Sequence, residues 1–331
     1  MKRILLAPAF LALGATLALA APPTVGEMLN LVPEGAQTVV AVDSAALRSH
    51  PKVQAWLLQQ HSWTGAGQEI QQFLADAGLD PLRDVDGVVV ALLRETHPTR
   101  GLVLCAGRYD PAALGAALVK RGATAFTLGK VAAYRLPDSG HHGHVAGVLA
   151  IPSSELMIAG EEASVAAALV PPHAVIPLIA NEMASGHIDV RAPFWMVATV
   201  PPEARAKARQ AGGHGEGEGS EPMRSIVLAS GAVERVAAQA FLDDSLKVSA
   251  VAVADTVENA QLIRDAVKGA LAAARLATQR EKPELVGVLR GVEVGVSGNE
   301  VSVAATIPLS LLEKLAAEHN AGAMSAHKHH T

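Results

Sequence analysis

His141, His142 and His144 fall within four residues of one another, and His327, His329 and His330 crowd the last five positions of the chain. Neutral imidazole is a ligand for borderline metals such as Zn, Ni or Cu, so these six side chains are the candidate metal ligands. A fixed metal centre also needs rigid elements and outer partners that hold each ring. The first tract reads as a loop and the second as a tail, and the chain has no His-Glu-x-x-His. Together they suggest a capacity to gather metal rather than a built site, and no other cofactor is expected. His50, His61, His97, His173, His187, His214 and His319 show no spacing that draws them together.

Nucleophile motifs are sparse. Ser49-His50-Pro51-Lys52 matches the Ser-x-x-Lys of penicillin-recognising enzymes, but Ser-Asp-Asn and Lys-Thr-Gly are absent and Pro51 interrupts the helix that has to present the serine. There is no Gly-x-Ser-x-Gly elbow and no Walker loop, and Gly65-Ala66-Gly67 lacks the preceding strand that a dinucleotide site needs. The adjacent carboxylates Asp243-Asp244 and Glu161-Glu162 point apart on a strand or helix, so capping and solubility explain them better than acid/base catalysis. No catalytic residue is assigned. An enzyme built on this chain would be an envelope hydrolase using scattered carboxylates and histidines.

The elements that position these residues alternate between strands and capped helices. Gln37 to Asp43 reads as a buried strand, with Ser44 as the cap of the next helix and Pro51 restarting it. Asp86 to Leu93 and Gly101 to Arg108 read as paired strands. Asp110 caps a helix with Pro111 in its first turn, ending at Gly122; a hairpin then turns at Gly129. Val145 to Ile151 and Glu155 to Ala159 are further strands, and Glu161 to Leu169 is a short helix.

A similar order returns later. Pro193 to Val200 and Val233 to Phe241 read as strands, and Leu246 to Ala254 as a strand buried on both faces. Asp255 to Glu258 fits a capping box with Asp255 as the cap. The helix it opens has Ala260, Ile263, Val267 and Ala270 at helical spacing. A short helix after Pro283, a hairpin turning at Gly298-Asn299 and a helix from Leu309 to Glu318 follow. Strand, capped helix, hairpin and short helix thus recur in Leu102–Leu169 and Leu246–Glu318, which suggests an internal duplication.

Composition narrows the function classes. Half of the residues are hydrophobic but only 3% aromatic, so the core is aliphatic and platforms for stacking bases or sugars are few. The formal charge is −5 and there is no basic stripe, which argues against nucleic acid as a partner. Lys2 and Arg3, an uncharged run from Ile4 to Leu19, and Ala18-Leu19-Ala20 have the pattern of a secretory signal peptide cleaved after Ala20. Cys105 is the only cysteine, so neither an internal disulfide nor an N-terminal lipid anchor is expected. No later segment is apolar for long enough to span a bilayer. Periplasmic or secreted localisation follows from this reading.

Leu31-Val32-Pro33-Glu34-Gly35-Ala36 with Val39 to Asp43, together with Asp86 to Val90, Gly107 to Asp110 and Val131 to Leu136, resembles a family of uncharacterised exported bacterial proteins. Its members open with a Leu-Val-Pro-x-x-Ala stretch and continue as repeated α+β units. The resemblance implies fold and export and carries over no catalytic or binding residue.

The expected fold is α+β, in two related halves with mostly antiparallel sheets and helices packed on one face. The expected organisation is a signal peptide at 1–20, a first half at 21–170, a connecting segment at 171–190 and a second half at 191–320. The second half contains a flexible Gly/Glu loop at 211–222, and a disordered His-containing tail occupies 321–331. The leading functional expectation is a non-catalytic binding or scaffold protein of the cell envelope, whose partner is an envelope protein or ligand. The alternatives are the hydrolase above and a metal-handling protein using the two histidine tracts.

Overall fold

The computed structural model describes residues 21–59, 68–93, 100–137, 147–170, 174–211 and 231–314. The leader, both histidine tracts and most of the Gly/Glu loop lie outside the described residues. Among the described residues twelve strands form one continuous sheet in the spatial order Glu293–Ser297, Glu300–Pro308, Ser245–Ala254, Val233–Leu242, Phe194–Thr199, Ala36–Asp43, Val85–Leu93, Arg100–Gly107, Leu156–Gly160, Val148–Ser153, Val131–Arg135 and Thr124–Leu128, and each neighbouring pair is antiparallel. The α+β class matches the expectation. Among the described residues, no helix is long and apolar enough to cross a membrane.

The described residues open with α1 (Val25–Met28), whose capping box joins Thr24 and Glu27. Val25, Met28, Leu29 and Val32 are all buried, so this Pro-led segment belongs to the core. β1 (Ala36–Asp43) leads directly into α2 (Ser44–Ser49). Asp43 rather than Ser44 is the cap, accepting from the Ala46 amide at 2.7 Å, because the carboxylate at the strand end reaches the first turn. After α3 (Pro51–Gln59), α4 (Gln68–Asp76) and α5 (Pro81–Asp84) come β2 (Val85–Leu93) and β3 (Arg100–Gly107). α6 (Pro111–Lys120) is capped by Asp110, as its sequence predicts. β4 (Thr124–Leu128), β5 (Val131–Arg135), β6 (Val148–Ser153) and β7 (Leu156–Gly160) follow, then α7 (Glu162–Ala168) and α8 (Pro177–Ala184).

The C-terminal strands are β8 (Phe194–Thr199), β9 (Val233–Leu242), β10 (Ser245–Ala254), β11 (Glu293–Ser297) and β12 (Glu300–Pro308). α9 (Pro202–Ala211) precedes β9, and α10 (Val257–Glu281) and α11 (Pro283–Arg290) precede β11. A last helix, α12, covers 309–314. The cap of α10 is Thr256, which accepts from the Asn259 amide at 3.1 Å; Asp255 instead bonds the Asn259 side chain and Arg209.

Cross-strand register shows why both sheet faces carry helices. One row starts at Ala133 and passes through Ala150, Ile158, Leu104, Val89 and Ala41 to Trp195, all buried. α1, α7 and α8 cover this face. The alternate residues of the same strands, such as Leu149 and Ile151, are also apolar and meet α4 and α6 on the other face. Near the opposite edge, α10 covers Val236, Ala252, Val294 and Val301 on that second face. The helices therefore divide between the two faces rather than sharing one. Past Trp195 the first row continues through Gln239, Ser249 and Ala304, all half-buried, and ends at the exposed Glu293. β10 is accordingly half-buried along most of its length, not enclosed on both faces.

Candidate functional site

Helix α8 ends where Gly186 takes a positive φ of 73°. That left-handed residue turns the chain back so that the His187 amide donates to the Glu182 carbonyl at 3.0 Å. The same turn lays the imidazole over the Glu182 side chain, with Nδ1 at 2.6 Å from Oε2. Glu182 is 2% exposed, a rare position for a carboxylate. Its other oxygen lies 3.0 Å from Nε of Arg235 on β9. The second ring nitrogen of His187 lies 3.3 Å from Oε2 of Glu300 on β12. Register explains the meeting, since Arg235 and Glu300 flank Val253 of β10 in one cross-strand row.

This cluster ties α8 and its following loop to the outer strands. Asp189 extends the tie: its amide donates to the Gln239 side chain at 2.6 Å. Its carboxyl is held below the ordinary range by hydrogen bonds from Arg191. Chemically, the Glu182–His187 pair has the geometry that orients a general base. Its outward nitrogen, however, meets a second carboxylate rather than a hydroxyl or thiol. Each ring nitrogen thus faces a carboxylate oxygen, so the arrangement cross-links the end of α8 to β12.

A groove of ≈ 1260 Å³ lies between α4 and α6. Phe73, Leu118 and Leu136 line its apolar part. At its rim Asp76 accepts from Arg121 at 2.8 Å and from Lys120 at 3.1 Å, and Arg121 also stacks on Phe73 at 5.2 Å. The hydrogen bonds from Arg121, Lys120 and Gln72 hold the Asp76 carboxyl at about 2. A smaller crevice of ≈ 280 Å³ is lined by Asp43, Asp86 and Arg108. There Asp86 is paired with Arg48 and with Arg108, the latter at 3.2 Å.

His141, His142, His144, His327, His329 and His330 lie outside the described residues. Among the described residues no group of three or more His, Cys, Asp or Glu side chains is arranged to hold a metal ion. Ser49 donates to the Ala46 carbonyl at 2.6 Å, and Lys52 pairs with Glu313 at 3.1 Å, so the Ser-x-x-Lys side chains are engaged separately. His50 places Nε2 at 2.8 Å from the Asp243 carbonyl, and Asp243 also pairs with Lys247. Glu162 pairs with Arg135. Cys105 is a strand residue whose thiol burial pushes up to about 11.

Sequence reasoning missed Glu182, Arg235 and Glu300. The local signal was Glu182 five positions before His187, with Gly186 between them as a helix stop. The distant partners carried none.

No family model and no curated protein matches the chain. Solved structures of TP0453 align with the chain over most of its length. One crystal form aligns with a TM-score of 0.45 at 10% identity, covering 88% of this chain and 96% of that one. Another aligns with a TM-score of 0.46 at 11% identity, covering 85% and 93%.

Proposed function

We propose that this is an exported, non-catalytic protein of a bacterial cell envelope that binds or scaffolds a partner there. The observation that carries the reading is the group of exposed polar side chains on β10 and β12 beyond Trp195. Lys247, Ser302 and Thr306 are exposed there, across strands held rigid by a continuous ladder. The buried Glu182 and the cleft carboxylates Asp76 and Asp86 are each paired with an arginine. Such pairs organise a fold more readily than they turn over a substrate.

Export rests on the Lys2–Ala20 pattern. Duplication of an α+β unit has geometric support beyond element order. The Arg108 amide donates to the Asp84 carbonyl at 2.8 Å, and the Asp255 amide to the Ala232 carbonyl at 3.0 Å, at equivalent places between paired strands. The helices that follow are capped by Asp110 and Thr256 and bury Leu114 and Ala117, or Ala260 and Ile263, at the same offsets. The two units meet as antiparallel β1 and β8.

The test is affinity capture from envelope extracts with the mature chain, beside a variant carrying Lys247→Glu, Ser302→Arg and Thr306→Glu. A partner retained by the first and lost by the second supports the reading. Equal retention by both, or substrate turnover that depends on His187, refutes it. The metal-handling alternative is decided by equilibrium dialysis with Zn, Ni or Cu before and after replacing the six tract histidines.

A further inference from the structure

β6 and β11 occupy equivalent places in the two units. Each forms a hairpin with the strand after it, β7 or β12, and that strand borders β3 or β10. The outer side of β6 pairs antiparallel with β5. In the second unit α11 stands in the chain where the β4–β5 hairpin stands in the first. α11 packs on α10 and beside the far end of β12, near Thr306 and Pro308, and leaves β11 as the outermost strand. Among the described residues nothing pairs with its outer side.

The edge has a defined hydrogen-bonding pattern. The two-residue loop Gly298-Asn299 makes Ser297 and Glu300 the closing bonded pair of the hairpin. Main-chain groups of Glu293, Gly295 and Ser297 therefore point to β12, and those of Val294 and Val296 point outward. The strand carries no Lys, no Pro and no bulge, the usual devices that blunt an edge.

We propose that β11 pairs antiparallel with β11 of a second copy of this chain, centred on Gly295. The edge is chosen through the duplication proposed above, but the pairing itself rests on the strand's own geometry. In that register Val294 bonds Val296 of the second copy through the main chain, and their half-buried side chains continue the apolar face. Glu293 stands opposite Ser297 of the second copy, so no like charges meet, and Gly295 on the axis gives the close approach its room. The assembly is isologous and closes as a two-fold dimer. Two five-residue edges bury far less than a standard interface, so the dimer is weak, with a Kd of about 10–100 μM.

Sedimentation equilibrium of the mature chain from about 5 to 500 μM tests this, with amide exchange as a second readout. Concentration-dependent dimerisation is expected, with added protection at the Val294 and Val296 amides but not at Gly295. Val296→Pro removes an outward N–H without touching the β12 ladder and is expected to leave monomer with an unchanged circular dichroism spectrum. Ser297→Glu sets like charges opposite each other and weakens association about fivefold, whereas Ser297→Lys faces Glu293 and strengthens it about fivefold. A chain that stays monomeric at about 500 μM overturns the proposal. So does a dimer indifferent to both Ser297 substitutions, which would mark a different surface. Either failure leaves the partner-binding reading untouched, since that is judged on the exposed polar side chains of β10 and β12.

Discussion

Glu182 reaches His187 twice, through its carbonyl to the backbone amide at 3.0 Å and through its carboxylate to Nδ1 at 2.6 Å. The first contact ends a helix and the second ties the imidazole to that end. Removing Glu182 deprives His187 Nδ1 of its partner and Arg235 of its counter-ion. Glu182→Ala is expected to cost about 3 kcal/mol, as breaking a buried pair does. Glu300→Ala is expected to cost under about 1 kcal/mol, because that side chain is 40% exposed and stands 3.3 Å away. Urea midpoints of the two variants, with a double-mutant cycle to His187→Gln, measure both; equal costs contradict the assignment.

The Cys105 thiol is pushed up to about 11 by burial, so almost none is thiolate near neutral pH. Alkylation by iodoacetamide at about pH 8 is expected to proceed only in denaturant, at a rate set by unfolding. Rapid labelling of the native chain is the contrary result.

The local parts of the fold were legible in the sequence because their causes are local. Asp110-Pro111 starts α6, Gly129 turns β4 into β5, and Gly298-Asn299 turns β11 into β12, each through conformational preferences carried by the residues themselves. The buried cluster was not legible for the opposite reason. Arg235 and Glu300 are neighbours only because β9 and β12 both pair with β10, and sheet order is a property of the whole chain. The faces were hard to read as well. Alternation separates two faces of a strand, but β1 and β3 are apolar on both, so periodicity could not say where helices would pack.

Asp76 sets an acid limit on the α4–α6 layer. Its carboxyl sits at about 2 in the folded chain, held down first by Arg121, then by Lys120 and Gln72. A depressed folded value means the contribution is complete above about pH 4, where an unfolded aspartate is ionised, and fades as pH falls toward 2. Asp76→Asn is expected to lower stability at neutral pH and to flatten its decline between about pH 4 and 2. Chemical denaturation at stepped pH tests this, and parallel declines for the two proteins contradict it.

Gly160 of β7 lies opposite Leu102 of β3, and a Cβ built there meets the Gly101 carbonyl oxygen at 2.5 Å. The obstacle is backbone in a neighbouring strand, so it cannot swing aside as a side chain would. Gly160→Ala is therefore expected to cost about 2–3 kcal/mol by forcing the β3–β7 pair apart. Gly122→Ala tests a different cause, since nothing lies within 4 Å of its added Cβ and only the positive φ of 85° opposes it. That variant is expected to lose about 1 kcal/mol while the ladder stays intact. Amide exchange at Leu102 and Leu104 separates the two cases: faster in Gly160→Ala after correction for global stability, unchanged in Gly122→Ala. If both variants exchange alike, strand spacing is not what the glycine at position 160 protects.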